Sequence, residues 1–227
     1  MEGQAEYCRA LEAYLCRKND GHLIRIVGPS FEKVCGWAER GVPLNVARRG
    51  IDRHFERYYA KGPRRRPVRI DFCEADVLDV FDEWRRAVGV NTGAGGAVRE
   101  RHESLPSHLE RVVARLTALR SGNGGAFDAL VESIVRELDA ARVPAKSLRG
   151  AARAELLARL AELDAQLIAA ARERLGEAGR ADVRREAEAE LAPFRARMPQ
   201  DAYEQSLAAC MDRVVRERER LPILTLA

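Results

Sequence analysis

The sequence predicts a mainly α-helical protein: an N-terminal helix-turn-helix domain, winged-helix-like with a small β element, followed by a C-terminal helical hairpin or bundle. Three observations lead there. Apolar residues recur at three- and four-residue spacing through most of the chain. Short β-branched runs, His22 to Val27 and Val68 to Ile70, fall in its first part. Leu156, Leu160, Leu163 and Leu167 form a near-heptad seam in its second.

Tyr7, Leu11, Tyr14 and Leu15 share one face of a first helix. His22-Leu23-Ile24-Arg25-Ile26-Val27 predicts a short strand closed by Gly28-Pro29. Ser30 is placed to cap a second helix carrying Phe31, Val34, Cys35 and Ala38, which Gly41 ends. Pro43, with its φ already helical, opens a third helix whose apolar stripe is Leu44, Ala47, Ile51, Phe55 and Tyr58. Two prolines and a glycine make residues 61–67 a loop, and Val68 to Ile70 an extended piece after it. Asp71 and Glu74 have capping-box spacing ahead of a helix bearing Val77, Val80, Phe81, Trp84 and Val88. Two helices joined by Gly41-Val42, then a loop and a strand, give the order of a helix-turn-helix with a wing.

Residues 91–97 are glycine-rich and aperiodic, a linker between a domain at 1–90 and a helical region at 98–227. In that region Leu105 to Leu119 and Phe127 to Ala141 are amphipathic, separated by Ser121-Gly122-Asn123-Gly124-Gly125. Ser147 precedes a long helical segment to Leu175; another runs from Arg180 to Met198, where Pro199 stops it. Asp201 and Glu204 repeat the capping-box spacing before a last helix to about Leu221. The leucine seam can close within one chain or between two, so a homo-oligomer stays open.

Composition removes several functional classes. At 227 residues, 46% hydrophobic and 33% charged, the chain can bury a core. It has no apolar run of the roughly 18 residues that a bilayer span requires, and charges interrupt Met1 to Cys16, so no membrane association and a cytoplasmic location are expected. Cys8, Cys16, Cys35 and Cys73 match no zinc or iron–sulfur spacing and sit beside apolar stripes, which predicts buried thiols. Gly93 to Gly96 lacks the lysine and hydroxyl residue of a phosphate loop, and no nucleophile elbow occurs. Neither an enzyme nor a cofactor or metal is expected.

Charge is distributed unevenly. The 35 arginines and 4 lysines leave a net of only +4, yet residues 40–69 hold ten basic residues against Asp52 and Glu56, a local net of +8. Asn45, Arg49, Arg53 and Arg57 lie near one face of the third helix, and Arg64, Arg65, Arg66 and Arg69 in or beside the loop that follows. Guanidinium groups bind phosphate bidentately, which makes these residues the candidate nucleic-acid contacts, with Asn45 as a base reader. Tyr58 and Tyr59 are available to stack on a single strand. The competing reading is neutralisation by the six acids between Asp71 and Glu83. Among them Asp76, Asp79 and Glu83 recur at helical spacing as a polar outer face.

The C-terminus turns apolar after a strongly charged helix. Pro222, Ile223, Leu224 and Leu226 must dock somewhere, either back on their own bundle or into a protein partner. Trp37-Ala38-Glu39-Arg40-Gly41-Val42-Pro43-Leu44, continuing through Gly50-Ile51-Asp52 to Trp84, resembles the pattern of uncharacterised bacterial helical proteins of about this size. Over residues 31–84 it is also similar to DnaD-type primosome domains, where a Trp, a Gly turn, an apolar helix and a later Trp recur; here an arginine loop precedes the last helix. That resemblance implies replication-associated work. The function expected is a non-enzymatic nucleic-acid-binding accessory, with DNA ahead of RNA. The alternative is an assembly factor acting through its C-terminal helices and tail.

Overall fold

Side chains of the first helix, and of Asn19 just after it, supply hydrogen bonds to the segments read as strands. The computed structural model describes residues 2–60, 62, 67–90, 104–119 and 125–226. Among them are nine α-helices and no strand: α1 (Glu2–Lys18), α2 (Pro29–Glu39), α3 (Leu44–Tyr59), α4 (Ile70–Val88), α5 (Leu105–Leu119), α6 (Ala126–Arg142), α7 (Gly150–Arg174), α8 (Gly176–Arg195) and α9 (Gln200–Glu219). The chain divides into one compact unit of Met1–Gly95 with Glu188–Ala209 and a second of Gly96–Ala187 with Cys210–Ala227. No described helix is long and apolar enough to cross a membrane.

Both predicted strands are thereby corrected. The Ile26 amide donates to Glu12 Oε2 at 2.8 Å and the Ile24 amide contacts Cys16 Sγ at 3.2 Å, so α1 takes the groups that a neighbouring strand would pair. Val68 is held likewise: its N–H donates to Asn19 Oδ1 at 2.7 Å and its carbonyl accepts from Asn19 Nδ2 at 3.0 Å. With backbone partners supplied by side chains there is no pressure to form a ladder. The winged-helix-like, helix-turn-helix reading gives way to an all-helical unit, and the expected wing has no β-structure among the described residues.

Caps differ too. Gly28, with φ of 58°, precedes α2 without a side-chain cap, and Pro29 takes its first turn. Ser30 instead donates to Asp71 at 2.8 Å, which occupies the carboxylate that the capping box assigned to the start of α4. That helix begins one residue earlier, at Ile70, after the extended Arg69. Pro43 is the N-cap of α3 rather than its first residue.

In the N-terminal unit α3 and α4 cross at glycine. A Cβ on Gly50 would lie 2.4 Å from Val77 Cα, so only hydrogen fits between the backbones. Around the crossing Trp37, Val46, Ala47, Ile51, Val77 and Trp84 are buried. Phe81, Trp84 and Phe194 form an aromatic cluster with centroids 5.6–6.5 Å apart. Trp84 Nε1 donates to the buried Glu190 at 3.0 Å, which satisfies the indole that burial would otherwise penalise. Cys8, Cys73 and Cys210 are buried free thiols, whereas Cys16 and Cys35 are partly exposed. Burial pushes the Cys73 thiol up to about 12, with Asp76 and Asp71 adding to the effect.

The C-terminal unit buries Leu109, Leu116, Val131, Ile134, Leu138, Leu160 and Leu167 in one core. The leucine seam thus closes within the chain. Its surface is laced with ion pairs: Arg159 to Glu137 at 2.6 Å, Arg218 to Glu186 at 2.6 Å, and Arg172 to Asp212. The Arg159 hydrogen bond holds the Glu137 carboxyl below the usual range.

Candidate nucleic-acid interface

The α3 arginines meet the acids of α4. Arg53 makes a two-point contact with Glu83, at 2.8 and 2.5 Å, so its planar fork is already filled by a carboxylate. Asn45 and Arg49 are half-buried, each engaged by neighbouring groups. Arg64, Arg65 and Arg66 lie outside the described residues. Arg53 is therefore committed to intramolecular pairing.

The C-terminal end of α3 is different. Arg57 reaches Asp76 at 2.7 Å while 60% of its side chain remains exposed. Arg69 is 68% exposed, its nearest acid Asp71 standing 3.5 Å away. Beside them His54, Tyr58, Pro67, Val68, Arg69 and Phe72 line a cleft of about 540 Å³. Phe72 is 63% exposed at its edge, and Tyr59 presents a further exposed ring nearby in sequence. His54 and Tyr58 stack one helical turn apart, with centroids at 6.0 Å, and Tyr58 and Tyr59 meet edge to face at 5.5 Å.

Asp76 sets the geometry of the cleft from beneath. Its side chain is 2% exposed, and Oδ2 accepts from both His54 Nδ1, at 2.9 Å, and Arg57 Nη2. A carboxylate only accepts, so the His54 ring carries a proton at Nδ1, and Nε2 is its second hydrogen-bonding nitrogen. Two partners also make burial of the charge tolerable. Reading Asp76, Asp79 and Glu83 as an outer polar face missed this role for Asp76. Phe72 and His54 were missed as well. The signals were present: His54 and Tyr58 are four apart on α3, and Phe72 interrupts an acidic run where an outer face needs no aromatic.

At the other end of the chain Pro222 and Leu224 are buried within the C-terminal unit, Leu226 is partly buried, and Ile223 is 57% exposed. Asp164 Oδ1 accepts from the Leu224 amide at 2.9 Å, and its other oxygen pairs with Arg216. Arg216 in turn donates to the Pro222 carbonyl at 3.0 Å, and His108 Nε2 lies 2.9 Å from the Leu224 carbonyl. Asp164 and His108 were not legible as tail holders, because they lie 60 and 116 positions from Leu224, whereas Arg216 is only six positions from Pro222. Asp164→Ala is expected to leave the helices folded but to loosen the tail. Limited carboxypeptidase digestion should then trim the variant several residues further than the parent chain.

The chain matches no protein-family model, and searches of curated proteins and of solved structures returned no match. The geometry of these residues is therefore the ground for a functional reading.

Proposed function

We propose that the protein is a non-enzymatic nucleic-acid-binding accessory, and that it holds a single strand at the C-terminal end of α3. One observation carries the reading: the largely exposed Arg69 lines a cleft walled by Tyr58 and Phe72, and Arg57, also largely exposed, shares the Asp76 carboxylate with His54 of that cleft. Cations that track phosphates beside aromatic faces that stack bases are the two components of single-strand recognition. A duplex fits less well, because its bases are already stacked and the paired Arg53 offers no continuous basic face to a groove. DNA ahead of RNA, and a replication-associated role in the cytoplasm, remain part of the proposal; they rest on the resemblance of residues 31–84 to DnaD-type domains read from the sequence, which no family model reproduces.

The test is fluorescence anisotropy of the full chain with labelled single and double strands at about 50 and about 200 mM salt. Single strands are expected to bind more tightly, with affinity falling steeply as salt rises. Arg69→Ala should weaken binding and make the salt slope shallower by about 0.7, the value of one phosphate contact on a single strand. Arg69 is exposed, so the substitution leaves the core intact. Absence of binding at low salt, or equal binding by Arg69→Ala with an unchanged slope, would overturn the reading.

A further inference from the structure

We infer that the cleft at the end of α3 is a nucleobase pocket, which takes one unstacked base carrying a phosphate. The inference rests on the single-strand reading for its polymer form, but the pocket makes a separate demand. A surface that only tracked phosphates would need arginines and no concavity. Here the two exposed arginines stand beside a cleft of about 540 Å³, within the roughly 300–1,000 Å³ that small-molecule sites occupy.

Each wall has the chemistry of a base site. Tyr58 on α3 and Phe72 on α4 supply flat apolar faces, and Pro67 and Val68 close a third side. Most of Phe72, 63%, is exposed rather than packed in the protein core, and a stacked base would cover it. His54, fixed by the buried Asp76 through Nδ1, lines the same cleft and has Nε2 left to hydrogen-bond the edge of a base. Arg69 lines the cleft too, and Arg57, steadied by the same Asp76, stands three residues from His54 on α3. These two are the phosphate ligands. Anchoring both His54 and Arg57 on one buried carboxylate sets the base-edge and phosphate contacts in a fixed relation before any ligand arrives, which lowers the entropic cost of binding.

A nucleotide can reach this pocket free or as part of a strand, and the experiment separates the two. The full chain is titrated with AMP and with ribose 5-phosphate by calorimetry, and with a labelled single strand and its abasic counterpart by anisotropy. Saturable AMP binding is expected, with ribose 5-phosphate at least about tenfold weaker, because stacking of a base contributes on that scale. Phe72→Ala, at an exposed position, should weaken AMP by about tenfold while retaining the parent's helical circular dichroism. The abasic strand should bind at least about tenfold more weakly than the intact one. Equal binding of AMP and ribose 5-phosphate, or equal binding of intact and abasic strands, overturns the base pocket; the latter leaves the phosphate-tracking function standing. Binding of AMP without binding of any strand upholds the pocket and removes the proposed function. Failure of AMP and of both strands to bind overturns both.

Discussion

Gly50→Val is expected to unfold the N-terminal unit or to leave it marginal, with a loss of stability at or above the roughly 1–3 kcal/mol usual for overpacking. The obstacle at this position is backbone. A Cβ would lie 2.4 Å from Val77 Cα and 2.7 Å from its nitrogen, and neither atom can turn aside as a side-chain tip can. Relief requires α3 and α4 to separate along the crossing, which opens Ile51, Val77 and Trp84 to water together. Gly50→Ala, adding only the Cβ, should show the same defect at lower amplitude. Urea denaturation followed by Trp fluorescence checks both, since Trp37 and Trp84 are buried in this unit. A midpoint unchanged in the valine variant would refute the close crossing.

Asn19→Ala is expected to cost about 2–5 kcal/mol. One buried amide satisfies three backbone groups: it donates to the Leu15 and Val68 carbonyls and accepts from the Val68 amide. Alanine leaves both polar groups of Val68 without the partner that brought them inside, and each unsatisfied buried group costs about 1–3 kcal/mol. Asn19→Asp should be nearly as damaging, because the carboxylate retains the acceptor but cannot donate to either carbonyl. Since Val68 and Arg69 border the cleft, both variants should also weaken any ligand held there. Thermal melts combined with the strand titration would separate the two effects. A melting temperature within a degree or so of the parent's would show that water replaces Asn19 at little cost.

The same asparagine explains why the fold was only partly legible in sequence. Helical periodicity located the helices well, because 3.6-residue patterning is a local property that packing on one face enforces. Leu105–Leu119 was anticipated residue for residue, and α6 to within a residue at each end. His22 to Val27 and Val68 to Ile70 read as strands because β-branched residues suit an extended backbone. A strand also needs a neighbour, and whether one exists depends on distant side chains: Glu12 and Cys16 for one segment, Asn19 for the other. The capping residues failed for a related reason. Asp71 has the right spacing to cap α4, but Ser30 and Lys33 of α2 claim its carboxylate.

The candidate site shows the same division. That the basic region between residues 40 and 69 would face the acids after Asp71 was one of two readings open from charge alone, and pairing geometry decides between them residue by residue. Arg53 is consumed by Glu83, whereas Arg57 and Arg69 keep most of their surface. The importance of Asp76 was invisible because helical spacing put it with Asp79 and Glu83. It is buried by α3, and it is the only one of the three with contacts to both a histidine and an arginine among the described interactions. The tail's anchor at Asp164 depends on the chain folding back over a separation of 60 positions, which no local pattern encodes.

The proposed strand-binding surface is the end of α3 together with the segment after Pro67. Hydrogen exchange of the full chain, with and without a saturating single strand, tests it most directly. Slower exchange is expected at residues 54–59 and 67–72, with the C-terminal unit unchanged. Protection confined to other segments, or none at residues 54–59 and 67–72 under saturating conditions, would contradict it.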